Sequence, residues 1–477
     1  MSTPSRGSGR PRVASARAGA EVDTTVWRVV GAPLVAATGD GPLSGRTVAV
    51  KDLFAVAGYA IGAGVEDFLA ERAPEGAHAA VVAQLLAAGA GITGIARTDE
   101  FAYSITGSNG RAGMPVNPAA PQRIPGGSSS GPAVAVARGE ADIGLGTDTA
   151  GSIRVPGAYQ GLWGIRTTHT ALDTTGLLPL APSFDAIGWL ARDAATLAAV
   201  AAVLLTERPS RSAAGNGPFS AAPVDRLDLG GGIASVQERL HGDRADHAPP
   251  PQSCTELDAR GDSGTRGAAI VGDGLDNVRS GSGSPDLVVD PGLCAAAEPE
   301  TARQCLRAAG EIGSKPIALG AELDRWFAAF RTVQAFEAWA GHGDWIAAHP
   351  GALEPEVAAR FRLAATVTTD DAAAARVVVA DAAARIGETV GDRVLVVPTT
   401  AGPPPQREAA GTHEAIRTAT LRLTCLASIA GLPAVTMPLP TATDLPAGLC
   451  LLGAPHTDRA LIRTAARCAA ALTASAR

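Results

Sequence analysis

The sequence has 477 residues, of which 46% are hydrophobic and only 4% aromatic, so it can bury a large core made mainly of Ala, Val and Leu. A net charge of −7 gives no reason to expect a nucleic acid or an anionic membrane as a partner. Six cysteines without a CxxC pair argue against a disulfide scaffold and against a zinc site, and we expect neither a metal nor a cofactor.

Residues 1–22 are rich in Ser, Gly, Arg and Ala, which predicts a disordered, solvated tail. This stretch lacks the apolar centre of a signal peptide. The chain has no apolar run of about 18 or more residues, the length that predicts a membrane helix. We therefore expect a cytoplasmic protein in which residues 23–477 form the domain.

From Val26 onwards, predicted strands and helices alternate. Short apolar runs predict buried strands, and apolar residues at helical spacing predict helices. In chain order these are the strand Thr47–Val50, the helix Ala77–Ala88, the strand Ile92–Ala96, a helix opening at Gly131-Pro132, the strand Ala141–Gly146 and the helix Asp193–Leu205. This alternation favours an α/β core around a largely buried sheet.

Residues 208–300 interrupt the alternation. They contain Pro249-Pro250-Pro251 and many Gly, Ser and Asp residues, with hardly any apolar periodicity. A segment of this length without regular elements is unusual inside a compact domain. We predict that this segment is largely irregular, and a disordered insertion is one of the structures that fit its composition.

Regular patterns return with a predicted helix at Leu323–Ala348 that carries an aromatic stripe, Trp326, Phe327, Phe330, Val333, Phe336 and Trp339. Helical spacing of this kind favours a place in the core, with the wall of a substrate pocket as the alternative. The remaining predicted elements are the strand Val394–Val397, the helix His413–Ala430, the strands Ala434–Met437 and Gly448–Leu452, and the helix His456–Ala474.

Two loops of small residues, Gly126–Gly131 and Gly146–Arg154, flank the helix predicted at Gly131-Pro132. Each loop offers serine hydroxyls and a run of backbone N–H groups that no bulky side chain shields. Covalent acyl transfer needs a reachable nucleophile beside hydrogen-bond donors for a developing oxyanion. The pair of loops therefore predicts an acyl-transfer site, with flexible linkers as the alternative.

Lys51 is the third candidate. Only two lysines, Lys51 and Lys315, occur among the 40 basic residues of the chain. Arginine does not give up its proton in a protein, whereas a buried lysine can become neutral and act as a base. Lys51 ends an apolar strand-like run, so we interpret it as the base and Lys315 as a surface residue.

The motif GGSSSG, the motif GTDTAGSIR whose serine follows Ser128 by 24 positions, and the upstream Val-Lys-Asp together resemble the amidase signature family. The resemblance runs from about Gly45 to Asp193 and resumes near Leu323. It implies an α/β fold, a single large domain with a mixed, twisted sheet covered by helices on both faces. Within the family, Phe101–Ser104 and Leu180–Asp185 look most like the amidase 1, or indole-3-acetamide hydrolase, branch.

The resemblance implies a catalytic triad of Ser152, Ser128 and Lys51, with Ser128 after a cis peptide bond. Ser152 is the expected nucleophile, and Ser128 is expected to pass its proton to a neutral Lys51. The expected reaction is hydrolysis of a small carboxamide to a carboxylate and ammonia through an acyl-enzyme. The branch resemblance suggests an apolar acyl group such as an aryl-acetamide.

The expected oxyanion donors are the backbone N–H groups of Thr149, Ala150, Gly151 and Ser152. Ala150 departs from the family pattern, which usually has glycine there. Because alanine tolerates positive φ poorly, the loop must have an ordinary backbone conformation at this position. Asp148 is expected to bind nearby N–H groups of the loop rather than to act as an acid.

Other interpretations stay open from the sequence. Gly127–Gly131 matches the G-x-S-x-G nucleophile elbow, which would make Ser129 the nucleophile with His413 or His456 as its base. An amidotransferase A-type subunit, releasing ammonia from glutamine within a complex, is a second alternative. A non-catalytic scaffold of the same fold is a third. For the oligomeric state, the sequence leaves both a monomer and a homodimer open.

Overall fold

A computed structural model describes residues 22–205, 285–408, 410–441 and 444–475. In this part of the chain, eleven strands form one sheet. The strands are β1 (Trp27–Val35), β2 (Thr47–Lys51), β3 (Gly91–Ala96), β4 (Ile143–Asp148), β5 (Trp163–Arg166), β6 (Ala186–Ala191), β7 (Leu287–Val289), β8 (Lys315–Pro316), β9 (Val394–Pro398), β10 (Ala434–Leu439) and β11 (Ala447–Leu452).

The sheet is mixed, with the strand order β1-β3-β2-β4-β6-β5-β10-β11-β9-β7-β8. Strand β2 pairs in parallel with both β3 and β4, and β7 pairs in parallel with β8 and β9. The remaining pairs are antiparallel. Every residue of β4, β5, β6 and β9 is buried, which explains why these strands are nearly continuous apolar runs rather than alternating ones.

Helices of the described residues are α1 (Glu66–Ala70), α2 (Ala80–Ala87), α3 (Ser130–Ala137), α4 (Arg154–Tyr159), α5 (Ala194–Leu204), α6 (Pro291–Cys294), α7 (Pro299–Glu311), α8 (Leu323–Ala348), α9 (Pro355–Ala364), α10 (Thr369–Val390), α11 (Ala410–Ile429) and α12 (Asp458–Ser475). Their ends follow local chemistry. Asp193 caps α5 by accepting from the Thr196 N–H, and Thr368 with Asp371 forms a capping box at the start of α10.

Helices cover both faces of the sheet, as the family resemblance implies. Successive residues of a strand point to opposite faces. In β9, Leu395 and Val397 belong to a core cluster shared with α8 to α11, whereas Val394 and Val396 belong to a second cluster shared with α2, α5, α7 and α12. The predicted fold class, a single large α/β domain, is confirmed for the described residues, which all belong to one compact unit.

The aromatic stripe of α8 belongs mainly to the core, as its spacing favours. Trp326 and Phe330 are fully buried, and Trp339 packs against the same cluster from a less buried position. From this helix, only Gln334 lines the cavity described below. None of the described helices is long and apolar enough to span a membrane.

The irregular segment expected at 208–300 lies outside the described residues up to position 284. From Pro285 onwards the expectation is wrong, because β7, α6 and the start of α7 occupy this stretch. Val288 and Leu293 there are buried in the core. A three-residue strand and a four-residue helix are too short to show periodicity, and this is why the sequence pattern missed them. The tail expected at 1–22 also lies outside the described residues, apart from Val22.

Candidate active site

Lys51 is the last residue of β2, and its side chain is completely buried. Its Nζ atom lies 2.8 Å from Ser128 Oγ and 2.8 Å from Thr147 Oγ1. Thr147 is on β4, the parallel neighbour of β2, and the register pairs Val50 with Leu145. Parallel neighbours end at the same edge of a sheet, so strand pairing brings Lys51 and Thr147 side by side.

Burial lowers the pKa of Lys51 to about 7, while the carboxylates of Asp99, Asp185 and Asp148 act in the opposite direction. The cause is that an ammonium loses its hydration when the side chain is enclosed by protein. A lysine with such a pKa is partly neutral at neutral pH and can accept a proton. The hydroxyls of Ser128 and Thr147 are both within hydrogen-bond reach of its Nζ.

Ser128 is fully buried and follows a cis peptide bond from Gly127. Its carbonyl accepts hydrogen bonds from the Asp99 N–H at 3.2 Å and from Thr98 Oγ1 at 2.9 Å. A Cβ atom placed on Gly127 would clash with the Asp99 carboxylate. Glycine is therefore required at 127 by the close approach of the Asp99 carboxylate, which the sequence motif alone does not explain.

The loop that carries Ser152 connects β4 to α4, and Asp148 at its start holds it in place. The Asp148 carboxylate accepts from the N–H groups of Gly151 at 2.9 Å and Ile153 at 3.2 Å, and it pairs with Arg154 at 2.7 Å. Burial by itself would raise the pKa of Asp148, but Arg154 and Arg166 hold it below its usual range. Asp148 thus stays ionised and anchors the loop, as predicted.

One of the four predicted oxyanion donors needs correction. The Gly151 N–H already donates to Asp148 Oδ1, so it is not free to bind an oxyanion. Gly151 has φ of 125°, a conformation that favours glycine, whereas Ala150 is not among the residues with positive φ. The alanine that departs from the family pattern therefore has an ordinary backbone, as expected. Thr149, Ala150 and Ser152 stay candidate donors.

Ser152 lines a small cavity whose walls come from five separate parts of the chain. The lining residues are Ala102, Tyr103, Ser104, Ile105, Thr149, Ala150, Ser152, Leu180, Gln334, Arg417 and Leu421. Two of these parts belong to the motifs Phe101–Ser104 and Leu180–Asp185, which in the sequence only carried the branch resemblance. The structure shows that both motifs form walls of the cavity.

The described residues do not form the serine–histidine site or a metal site. Ser129 is fully buried, and its Oγ donates to the Thr147 carbonyl at 3.3 Å. The His413 ring contacts the Gln406 carbonyl, and His456 lies at an exposed turn, so neither histidine is placed beside Ser129. Among the described residues, no group of three or more His, Cys, Asp or Glu side chains could hold a metal ion.

Sequence reasoning missed three residues of the site. Thr147 contacts Lys51, Asp185 accepts a hydrogen bond from Thr149 Oγ1 at 2.5 Å, and Arg417 forms part of the cavity wall. Thr147 lies within the motif that supplied Ser152, so its place near the end of β4 was the available signal. Arg417 gave no signal, because it is one of many arginines in the chain.

Fold and site together define an α/β protein in which a buried lysine contacts one serine and a second serine lines a cavity. The family model described as Amidase matches residues 34–228. Amidase 1 of Arabidopsis thaliana is 31% identical over 442 residues, which cover 92% of this chain and 95% of that protein. The chain belongs to the amidase family.

Two further comparisons extend this result. Outer envelope protein 64, chloroplastic, of Arabidopsis thaliana is 45% identical over 164 residues, 34% of this chain and 28% of that protein. A crystal structure of an amidase superposes with a TM-score of 0.68 and 23% identity, covering 91% of this chain and 86% of that one. The second likeness confirms the amidase fold.

Proposed function

We propose that this chain hydrolyses a small carboxamide to a carboxylate and ammonia through an acyl-enzyme on Ser152. One observation carries the proposal: the buried Lys51 Nζ lies 2.8 Å from Ser128 Oγ, and the next residue, Ser129, donates its backbone N–H to the Ser152 carbonyl at 3.2 Å. With the pKa of Lys51 lowered to about 7 by burial, this pair can take up and return a proton near neutral pH.

In the first half of the proposed reaction, Ser152 Oγ attacks the carbonyl carbon of the amide. The hydroxyl proton of Ser152 passes to Ser128 Oγ, while Ser128 gives its own proton to Lys51 Nζ. The negative charge that develops on the carbonyl oxygen is stabilised by backbone N–H groups of the Ser152 loop, with Thr149, Ala150 and Ser152 as the candidates. Gly151 serves indirectly, because its N–H holds the loop on Asp148.

In the second half, the proton returns from Lys51 through Ser128 to the nitrogen, and the C–N bond breaks to release ammonia. A water molecule then attacks the ester carbonyl of the acyl-enzyme, with Lys51 and Ser128 again accepting the proton. Release of the carboxylate restores the Ser152 hydroxyl. The Lys51–Ser128 pair accepts a proton each time a nucleophile attacks and returns it when the leaving group departs. The pair is therefore unchanged after one turnover.

The proposal is tested by ammonia release from a panel of primary amides and by labelling with a fluorophosphonate probe, followed by mass spectrometry of the labelled peptide. Ser152→Ala should abolish both labelling and turnover. Ser128→Ala should lose turnover by roughly 10²–10⁴-fold while some labelling of Ser152 remains. Ser108→Ala, which removes a hydroxyl outside the cavity, is the control. Labelling of Ser129 instead of Ser152 would overturn the assignment.

Two alternatives have distinct outcomes in the same assay. An amidotransferase A-type subunit would release ammonia from glutamine only when its complex is assembled. A non-catalytic scaffold would release none from any amide. The match to Amidase 1 over 92% of this chain supports the amidase proposal, because it extends through the whole fold rather than through the motif region alone.

The proposal includes a cellular location and an oligomeric state. We propose a cytoplasmic protein, because no described helix could span a membrane, although one relative is named as a chloroplast outer envelope protein. A homodimer is proposed as the working state. Light scattering during size-exclusion chromatography gives the mass in solution and decides between monomer and dimer.

A further inference from the structure

Arg417 on α11 is a buried cation in the wall of the cavity that Ser152 lines. Its side chain is only 6% exposed. Its Nη1 donates to Glu414 Oε1 at 2.9 Å, but its Nε finds no acceptor among the described residues. A buried guanidinium with an unused donor is costly. Such a group fits a ligand that supplies the missing acceptor.

Positive charge is in excess around this end of the cavity. Arg360 and Arg331 lie close enough to repel the charge on Arg417, and all three guanidiniums act on the hydroxyl of Tyr103. The facing carboxylates are Glu414 and Glu356, whose side chains are 59% and 55% exposed. Because water screens these two acids, they neutralise the buried end only in part.

Helix α11 connects this charge to the nucleophile loop. Arg417, Leu421 and Thr424 follow one another at four and three positions, so they lie on one face of the helix. Thr424 Oγ1 donates to the Ala150 carbonyl, beside Ser152, and Leu421 lines the cavity between them. With a rise of about 1.5 Å per residue, Arg417 lies roughly 10 Å along the helix from this contact.

We propose that Arg417 binds a carboxylate at the far end of the acyl group, so that the preferred substrates are monoamides of short dicarboxylic acids. This inference rests on the proposed amidase function. The planar guanidinium matches a carboxylate with two parallel hydrogen bonds. Tyr103, Ser104 and Gln334 add polar side chains to the same walls. An anionic acyl group thus replaces the apolar one that the branch resemblance suggests.

The test compares two amides of matched shape. One is glutaric acid monoamide, and the other is 5-methylhexanamide, in which an isopropyl group replaces the carboxylate. The wild-type protein should prefer the charged amide by about 10- to 100-fold in kcat/KM, the range that a hydrogen bond to a charged group supplies. Arg417→Met should lower the ratio of the two kcat/KM values by that factor.

Arg422→Met is the matched control, because Arg422 is on the same helix, does not line the cavity and pairs with Asp324. It should leave the ratio unchanged. If Arg417→Met does not fold, Arg417→Lys takes its place: it keeps the charge but loses the two-pronged geometry, and the ratio should still fall. Equal kcat/KM for both amides in the wild type, or an equal loss for both in the variants, would overturn the inference.

Failure of the proposed function is distinguishable from failure of this inference. If the wild-type protein hydrolyses neither amide, the amidase proposal fails for these substrates. Calorimetric binding of glutarate then decides the inference by itself: binding that disappears in Arg417→Met or Arg417→Lys but persists in Arg422→Met supports it. Absence of glutarate binding to the wild type contradicts it.

Discussion

Lys51 and Lys315, the two lysines of the chain, offer a matched pair of substitutions at the scale of single residues. Lys51→Arg should be nearly as damaging as Lys51→Ala, because a guanidinium does not release its proton near neutral pH. General-base assistance contributes roughly 10²–10⁴-fold, so kcat/KM for a primary amide should fall by at least about 100-fold with the circular dichroism spectrum unchanged.

Lys315→Arg is the control, since Lys315 is exposed and pairs with Asp286 at 3.0 Å. It should keep full activity. Retention of more than about a tenth of the wild-type kcat/KM in Lys51→Arg, against the expected loss, would show that Lys51 is not the base. The Ser–Ser–Lys mechanism would then be abandoned for this chain.

The pH dependence of kcat/KM is a second consequence of the Lys51 environment. Because burial lowers the pKa of Lys51 to about 7, the base is protonated and inactive at lower pH and neutral at higher pH. Activity should therefore rise with pH through a limb near 7 that reports the coupled Lys51–Ser128 pair. The residual activity of Lys51→Ala, followed over the same range, should lack this limb. A limb of the same midpoint in that variant would assign it to another group.

At the scale of elements, the link from β4 to α4 shows how a loop of small residues is held in one shape. Two of its N–H groups, those of Gly151 and Ile153, are already used, because they donate to the Asp148 carboxylate. Arg154 extends the anchor by donating to the Thr424 carbonyl of α11 at 2.8 Å. The geometry at Ser152 therefore depends on a buried ion pair and on a helix far away in sequence.

Asp148→Asn should test this anchor. It leaves Arg154 and Arg166 buried without their counter-ion, and breaking such a pair costs about 3–5 kcal/mol in the free energy of unfolding. Denaturant titration at neutral pH measures the loss. Because the pKa of Asp148 is lowered in the folded protein, its contribution is present at neutral pH and is lost as the pH falls, so the difference between the two proteins should shrink in acid.

Asp67→Asn is the control for the loss of a carboxylate, since Asp67 pairs with Arg111 at the surface. It should leave the unfolding midpoint unchanged. If Asp148→Asn is equally neutral at pH 7, the loop does not depend on the charge of Asp148, and its N–H contacts suffice.

At the scale of the whole molecule, buried carboxyl groups set how stability varies with pH. Burial raises the pKa of Glu100 to about 7, and it raises the pKa values of Asp52 and Asp99 to about 6. In an unfolded chain these groups titrate near pH 4. Between these values the folded protein binds more protons than the unfolded one. The contribution of these three carboxyl groups to the free energy of unfolding should therefore fall as the pH rises from about 5 to about 7.

Glu100→Gln should make this fall smaller. Glutamine does not ionise, yet its side-chain oxygen can still accept from the Glu354 N–H, which donates to Glu100 Oε2 at 2.7 Å. Denaturant unfolding of both proteins at about pH 5 and pH 7 measures the change. Glu388→Gln, at an exposed position of α10, is the control. A pH dependence identical to the wild type would mean that Glu100 is already ionised in the folded protein at pH 5.

Much of this molecule could be predicted from local pattern. Strands such as β3 and β9 are apolar runs bounded by loop residues, and α8 has the predicted bounds, so these elements are nearly independent of their surroundings. The contacts of Asp148 with its own loop were equally local, because Gly151, Ile153 and Arg154 lie within six residues of it. By contrast, β7 is a strand because it pairs with β9. Its three residues are too few for a local periodicity that would predict it.

The sequence by itself determined the candidate reactive groups: Lys51 by its rarity, and Ser128 and Ser152 by two motifs 24 positions apart. Catalysis restricts which residue types can occupy these three positions, and residue types can be read directly from the sequence. Only the tertiary structure decided which N–H groups of the Ser152 loop are already used, and that Thr147 contacts Lys51. It also decided that Arg417, one arginine among many, is buried in the cavity wall. The physical reason is that burial, strand register and hydrogen-bond competition depend on segments far apart in the chain.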